Sequence, residues 1–371
     1  MATSRTAAEV LETALELGFD LAGIAPLGPP PGAGRFQAWL RAGRHADMDW
    51  LAENEARILD PRLLLEGGRS LLVVGLGHSR AAVELPDGGR VARYAAGRDY
   101  HNVIGRRLRR LAGRLRARGL LGEWKKVVDA GPLLERSHAA QAGLGFESKA
   151  ANLLAPGFGP WFFLGELLLD RELEPSAGPA AGSCGTCRAC LSACPTGAIV
   201  APGEVDARLC LSYHTIENRG TVPQDLRPAL GPWVFGCDVC SEVCPLGSEA
   251  PDLAARFGLH PAVAEGSLAG WLAQAPAELA ARLRGSPLQR TGRTGLARNA
   301  ALVLGNQPGE AGRKALEGAL ADPSPRVREA AFWSLAHAHR ADAGVRARLA
   351  RALAAEPEEQ ARTDMRAALE R

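Results

Sequence analysis

The sequence predicts an α+β protein in three parts, and three observations carry that prediction. Residues 1–175 alternate helix-period and strand-period apolar patterns. All eight cysteines fall between residues 184 and 244, in spacings that suit iron–sulfur ligation. Beyond about residue 285 the chain turns alanine-rich and helical, and one of its segments recurs. The expected organisation is an α/β domain at 1–175, a two-cluster iron–sulfur domain at 176–250 and an all-α repeat region at 251–371.

The first part is justified element by element. Ala7–Leu17 has helical periodicity, and Asp20–Ala25 has the character of a strand. Ser70–Leu76 (SLLVVGL) is an unbroken apolar run, typical of a buried strand. Ile104–Leu121 is amphipathic, with Ile104, Leu108, Leu111 and Leu115 on one face. Its other face is mostly arginine and reads as a solvated surface. Trp124–Ala130 and Trp161–Leu169 are expected strands, and Glu172–Gly182, rich in Pro, Gly and Ser, is an expected linker.

Cys184, Cys187, Cys190 and Cys194 form a C-x2-C-x2-C-x3-C run followed by Pro195, and Cys237, Cys240 and Cys244 repeat its tail before Pro245. Cys210 stands alone between them. This is the ferredoxin-like arithmetic of two 4Fe–4S clusters, in which the last cysteine of each run serves the other run's iron. Cluster one then takes Cys184, Cys187, Cys190 and Cys244; cluster two takes Cys194, Cys210, Cys237 and Cys240. No cysteine is left for a disulfide or a nucleophilic thiol. Structural zinc also uses C-x2-C pairs, but the doubled C-x3-C-P is not a zinc spacing. The stretch Leu211–Gly236 is expected to loop out between Cys210 and its run.

In the third part, Arg298-Asn-Ala-Ala-Leu-Val-Leu recurs as Arg328-Glu-Ala-Ala-Phe-Trp-Ser-Leu. Asp322-Pro-Ser-Pro lies between them and opens the second helix. The pattern is that of a HEAT-like helical repeat, continued weakly at Asp364–Leu369, and such arrays offer surfaces to macromolecules. A net charge of +3 is too small to imply nucleic acid by itself, although arginines gather at Arg106–Arg118 and Arg282–Arg298. The N-terminus has no apolar leader and no segment is long and apolar enough to span a membrane, so a cytoplasmic protein is expected.

Asp129 is the residue of most interest outside the cysteines. It follows the apolar Val127-Val128 and precedes Gly131-Pro132, which puts its carboxyl at a strand end beside a turn. Two readings stand there: a partly buried acid with a raised pKa that donates a proton, or a cap for a helix beginning near Pro132.

Taken together, ARYAAGRDYH (92–101), VDAGPLLER (128–136), AGLGFESKAANLL (142–154), GPWFFLGELL (159–168), both cysteine runs and Ser286–Asn299 resemble the epoxyqueuosine reductase family. The resemblance runs from about residue 8 to the C-terminus. It implies reduction of the epoxide of epoxyqueuosine, at the wobble position of tRNA, to the cyclopentene. It also implies cobalamin beside the two 4Fe–4S clusters. Asp129 matches the proton donor, and corrin contacts are implied for Arg57, Ala92, Asp129, Leu153 and Leu164, with Ser212, Cys237 and Asp238 reaching it from the cluster domain. Electrons would enter cluster one from an external one-electron donor and leave cluster two for cobalamin. A tRNA substrate gives the basic residues a role: Arg290, Arg293 and Arg298, with Arg282 and Arg284, as a phosphate-tracking stripe, and Arg219 at the anticodon loop. A monomer is the default. At Phe146-Glu147-Ser148-Lys149 the chain lacks a glycine that many relatives carry before the lysine. The rival readings are a cobalamin-dependent reductive dehalogenase and an electron-transfer module whose repeats dock a partner.

Overall fold

A computed structural model describes residues 2–370 apart from Pro179 and Pro308, and it divides into two compact units that do not follow chain order. The first unit comprises Met1–Arg80, Asp99–Arg208 and Val239–Phe257; the second comprises Ala81–Arg98, Leu209–Asp238 and Gly258–Arg371.

The first unit is organised by a four-stranded antiparallel sheet of β1 (Leu21–Pro26), β2 (Ser70–Gly77), β3 (Trp124–Val127) and β4 (Phe162–Leu169), in the order β1–β2–β4–β3. Helices α1 (Ala2–Glu16), α2 (Tyr100–Ala117) and α3 (Glu135–Gln141) pack on it. Side chains alternate across a strand, so neighbouring residues of β4 meet different layers. A Cβ on Gly165 would lie 2.7 Å from Ile104 of α2, which is why that position carries none. Leu164 and Leu168 instead join a core with Ala139 and Ala142, at α3 and its C-terminal end. Cover on both faces explains why all eight positions of β2 are buried and why its sequence shows no alternation.

Two element boundaries differ from the sequence expectation for local reasons. Helix α2 begins four residues before Ile104, because Asp99 caps it by accepting the His101 amide at 3.0 Å. It ends at Ala117, and Gly119 follows in the left-handed region at φ +69°. Strand β3 stops at Val127 rather than Ala130, since Asp129 itself turns to φ +54°.

In the second unit, the helices Gly292–Asn306 and Pro325–His339 carry the repeated segment and pack side by side, with Glu359–Glu370 against the latter. Their shared core includes Leu296, Ala300, Leu304, Phe332 and Leu335. The stretch after Cys210 does not loop out. It forms the helix Leu211–Ile216 and the strand Trp233–Phe235, which pairs in parallel with Arg90–Val91. Val222, Leu230, Val234 and Phe235 are buried in the core, so the apolar residues of the stretch hold it down. Arg227 of the same stretch makes a buried ion pair with Glu329, at 2.7 Å.

Candidate active site

Asp129 stands just past β3 with its side chain 59% exposed, in a left-handed conformation that aspartate tolerates better than most residues. The exposure corrects the expectation of a partly buried acid. The helix-cap reading fails as well, because α3 starts only at Glu135 after Leu134. The Asp129 carboxylate instead takes a hydrogen bond from the Tyr100 hydroxyl and lies 3.4 Å from His101 Nε2. His101 Nδ1 faces Asp99 at 2.8 Å. Burial opposes charge on His101, but hydrogen bonds to Asp129 and Asp99 outweigh it and raise its pKa to about 9. The imidazole is therefore cationic at neutral pH. The Tyr100 ring lies between its neighbours, stacked on Phe163 at 4.3 Å and on His101 at 4.1 Å, and this stacking fixes the hydroxyl that meets Asp129.

A second acidic group lies behind this one. The Asp129 amide donates to Glu135 Oε1 at 2.6 Å, and the fully buried Glu166 of β4 is the side-chain neighbour of Glu135. The sequence reading passed over Glu166, although a lone acid inside FFLGELLL was a visible signal.

The cysteines of the first unit converge. Cys184, Cys187, Cys190 and Cys244, the set expected for cluster one, line a cavity of about 160 Å³ together with Cys240, Ser148 and Asn152. The Lys149 amide donates to Cys184 Sγ at 3.4 Å, and Lys149 Nζ donates to the carbonyls of Gly185 and Cys187 at 2.7 and 2.9 Å. Soft sulfur donors around one cavity, with an amide and a cation nearby, suit a thiolate-bound cluster. Ser148, where the glycine is missing, accepts the Ala150 and Asn152 amides and so orders its own loop. Of the second set, Cys194 and Cys240 belong to the first unit, Cys210 and Cys237 to the second.

The implied corrin contacts are likewise divided. In the first unit Arg57 is exposed and bonded to Asn54, Leu153 is buried and Leu164 is half-buried. In the second, Ala92 donates its amide to the Phe235 carbonyl at 2.8 Å, and Asp238 accepts the Arg93 amide at 2.8 Å. Ser212 is half-buried on the helix that follows Cys210.

The arginine stripe needs correction. Arg298 is 1% exposed and donates to the backbone carbonyls of His214, Asn218 and Gly220, so it cannot reach a phosphate. Burial lowers its pKa to about 10, leaving it charged at neutral pH. The Arg293 side chain, 9% exposed, is committed to Asp322. Arg284, Arg290 and Arg219 keep to the surface: Arg290 bonds Glu217 at 2.8 Å and Arg219 donates to the Arg290 carbonyl at 2.6 Å, while the half-buried Arg282 pairs with Glu265 at 3.0 Å. The first unit also carries cations outside any ion pair among the described residues. The ion pairs of α2 involve Arg114, Arg116 and Arg118, and among the described residues none involves Arg106, Arg109, Arg110 or Lys126. Asn102, Arg106 and Arg109 share one face of α2 leading away from His101, and a Cβ on Gly105 would come within 3.7 Å of Lys126 Nζ.

A thiolate-lined cavity and an exposed carboxylate held by a hydroxyl and an imidazolium, both in one α/β unit, are the equipment of an iron–sulfur oxidoreductase. Residues 183–247 match the family described as "4Fe-4S double cluster binding domain", and residues 59–130 match "Epoxyqueuosine reductase QueG, DUF1730". The epoxyqueuosine reductase of Xanthomonas campestris is 40% identical over 89% of this chain and 95% of its own. The chain belongs to the epoxyqueuosine reductase family. A crystal structure of selenomethionine-labelled epoxyqueuosine reductase is 27% identical, with a TM-score of 0.89 over 98% of both chains. Another, of epoxyqueuosine reductase with a tRNA-TYR epoxyqueuosine-modified tRNA stem loop, is 27% identical, with a TM-score of 0.87 over 98% of this chain and 97% of that one. Among the described residues, no helix is long and apolar enough to cross a membrane.

Proposed function

We propose that this protein reduces epoxyqueuosine in tRNA to queuosine, and that Asp129 supplies the proton that lets the epoxide oxygen leave. The observation that carries this is the Tyr100–Asp129–His101 group: an exposed carboxyl held by a hydroxyl and an imidazolium. Opening the epoxide and releasing its oxygen as water consumes two electrons and two protons. Asp129 protonates the departing oxygen, His101 returns a proton to Asp129, and Tyr100 keeps the carboxyl in place. An electron-transfer module would need none of these groups.

The proposal includes cobalamin beside the two clusters. A corrin has an apolar face and an amide-bearing rim, and the chain offers a matching mix: Leu153 and Leu164 for apolar contact, Arg57 and Ser212 for polar contact, with Ala92, Asp129, Cys237 and Asp238 completing the set. Cys194, Cys210, Cys237 and Cys240 would hold the second cluster. When bound, these groups supply electrons at low potential, arriving singly from an external donor. The protein works as a cytoplasmic monomer with a three-part organisation of corrin, cluster and helical-repeat regions.

The test uses anaerobically reconstituted protein, a chemical reductant and a stem loop bearing epoxyqueuosine, digested and weighed by mass spectrometry. Loss of one oxygen from the nucleoside, dependent on added cobalamin, is the expected result. No conversion by cluster-loaded protein with cobalamin would sink the proposal, and conversion without cobalamin would remove that cofactor from it.

RNA binding falls to Arg219 and Arg290 and to the uncompensated cations of α2 and β3. Replacing Arg106, Arg109 and Lys126 together with serine is expected to weaken stem-loop binding roughly tenfold or more near physiological salt. The slope of log affinity against log salt should shrink by roughly two, as each lost phosphate contact removes about 0.7–0.9. An unchanged slope would move the phosphate contacts off this face.

A further inference from the structure

Glu166 sits where a carboxylate is least tolerated. It lies in β4 between its partners Val73 and Val127, is 0% exposed, and neither of its oxygens has a donor among the described residues. An ionised carboxylate in that position is strongly disfavoured, because nothing replaces its lost hydration. Its side-chain partner is Glu135, another carboxyl, and two ionised carboxylates only accept. The contact is satisfied only with a proton between them. Glu135 has a second contact, the Asp129 N–H at 2.6 Å, which demands an acceptor oxygen.

We propose that Glu135 and Glu166 act as one unit sharing a single proton, carried by Glu166, and that the ionised Glu135 positions Asp129 by accepting its backbone N–H. Glu135 is thus a positioning residue, and the idea rests on the reading of Asp129 as proton donor. Asp129 needs such a hold: at φ +54° it keeps a disfavoured left-handed backbone, and its side chain is largely in solvent.

The electrostatics agree. Burial, then the charge of Asp129, pushes Glu135 up to about 7, while a hydrogen bond from Glu166 works the other way. Burial and the charge of Glu135 raise Glu166 well above the usual carboxylate range. The other charged or titratable groups around the pair are few. Arg136 follows Glu135 and favours its charge. His138 on α3 is fully buried, and burial lowers its pKa to about 4, so it is neutral. Glu147, on a strand packed against α3, is paired with Arg35. Strand β2 contributes Val73 opposite Glu166. Glu135 therefore gains its own proton as pH falls through about 7, and the hold on Asp129 loosens on the acid side.

The measurement is hydrogen–deuterium exchange of the 128–136 segment in the reconstituted protein, corrected for intrinsic rates, between about pH 5.5 and 9. In the wild type, protection is expected to drop severalfold with a midpoint near 7. Glu166→Gln should leave that midpoint within about half a pH unit of the wild type, because protonated Glu166 carries no charge to remove and the glutamine amide still donates to ionised Glu135. Glu135→Gln should abolish the pH dependence and lower kcat roughly tenfold, the worth of a charge-assisted hydrogen bond. KM for the stem loop should stay within about twofold, because Glu135 touches no RNA in this reading. Should either glutamine variant fail to fold, Glu135→Asp, which keeps the charge and shortens its reach, is expected to retain the transition with weaker protection. Wild-type exchange in Glu135→Gln, or a midpoint displaced by about a pH unit or more in Glu166→Gln, would overturn the proposal. Asp129→Asn separates the two ideas: it should lose turnover yet keep an exchange transition, with the midpoint lowered because the Asp129 charge that raises Glu135 is gone. Full turnover in that variant would overturn the donor reading, whatever the exchange shows.

Discussion

Asp129→Asn is expected to lower the rate of epoxide reduction by roughly 10²–10⁴-fold, the usual worth of a positioned general acid. Every other property should survive. The side chain is 59% exposed, so the change costs little in packing. The backbone sits at φ +54°, a region asparagine enters as readily as aspartate, so the turn is kept. The amide retains an oxygen for the Tyr100 hydroxyl but has no proton to give. Iron content, visible spectrum and stem-loop affinity should match the wild type, while single-turnover conversion under anaerobic conditions collapses. Full conversion by this variant would remove Asp129 from the chemistry. A loss of affinity or of clusters in parallel would show that the residue organises the site rather than acting in it.

Arg298→Met is expected to cost roughly 3–5 kcal/mol of stability, because the change strips two buried backbone carbonyls and a third, partly buried one of a charged donor. For a unit of this size that corresponds to a fall in melting temperature of roughly 10 °C, measurable by calorimetry or circular dichroism. The folded fraction at low temperature should bind the stem loop as the wild type does, within about twofold, because a side chain 1% exposed meets no phosphate. The opposite pattern, normal melting with lost affinity, would restore Arg298 to the binding surface. The serine variants of Arg106, Arg109 and Lys126 should behave in the reverse way, melting normally and binding weakly. The two experiments together separate arginines that hold the fold from those that meet a substrate.

Much of this protein was legible because its chemistry is written in local patterns. Two-residue cysteine spacings bring sulfurs to one cavity whatever the surrounding fold, so the convergence of Cys184, Cys187 and Cys190 was legible in advance, and Cys240 and Cys244 line the same cavity. The apolar run of β2 and the stripe of Ile104, Leu108, Leu111 and Leu115 each named an element, because burial selects a period. Asp129 stood out for the same reason: a strand end followed by Gly-Pro is local.

What local pattern does not carry is who meets whom. Arg298 and Arg106 are the same residue type in similarly arginine-rich stretches. One is buried because the carbonyls of His214, Asn218 and Gly220 close around it, and the other is left in solvent, with no ion pair among the described residues. The stretch 211–236 looked like a loop because its only strong signals were cysteines at its ends. Its strand finds a partner at Arg90–Val91, more than a hundred residues upstream. Glu166 was one acid in an apolar strand until α3 laid Glu135 against it. By itself, then, the sequence determined the gathering of the first cysteine run, the strands of the sheet and the long helix beside them, and the acid at the strand end, all properties of residues near each other in the chain. Only the tertiary structure decided which arginines stay in water, that Tyr100 and His101 close on Asp129, and that two carboxyls must share a proton, because charge and hydrogen bonding depend on neighbours that the chain brings together only when it folds.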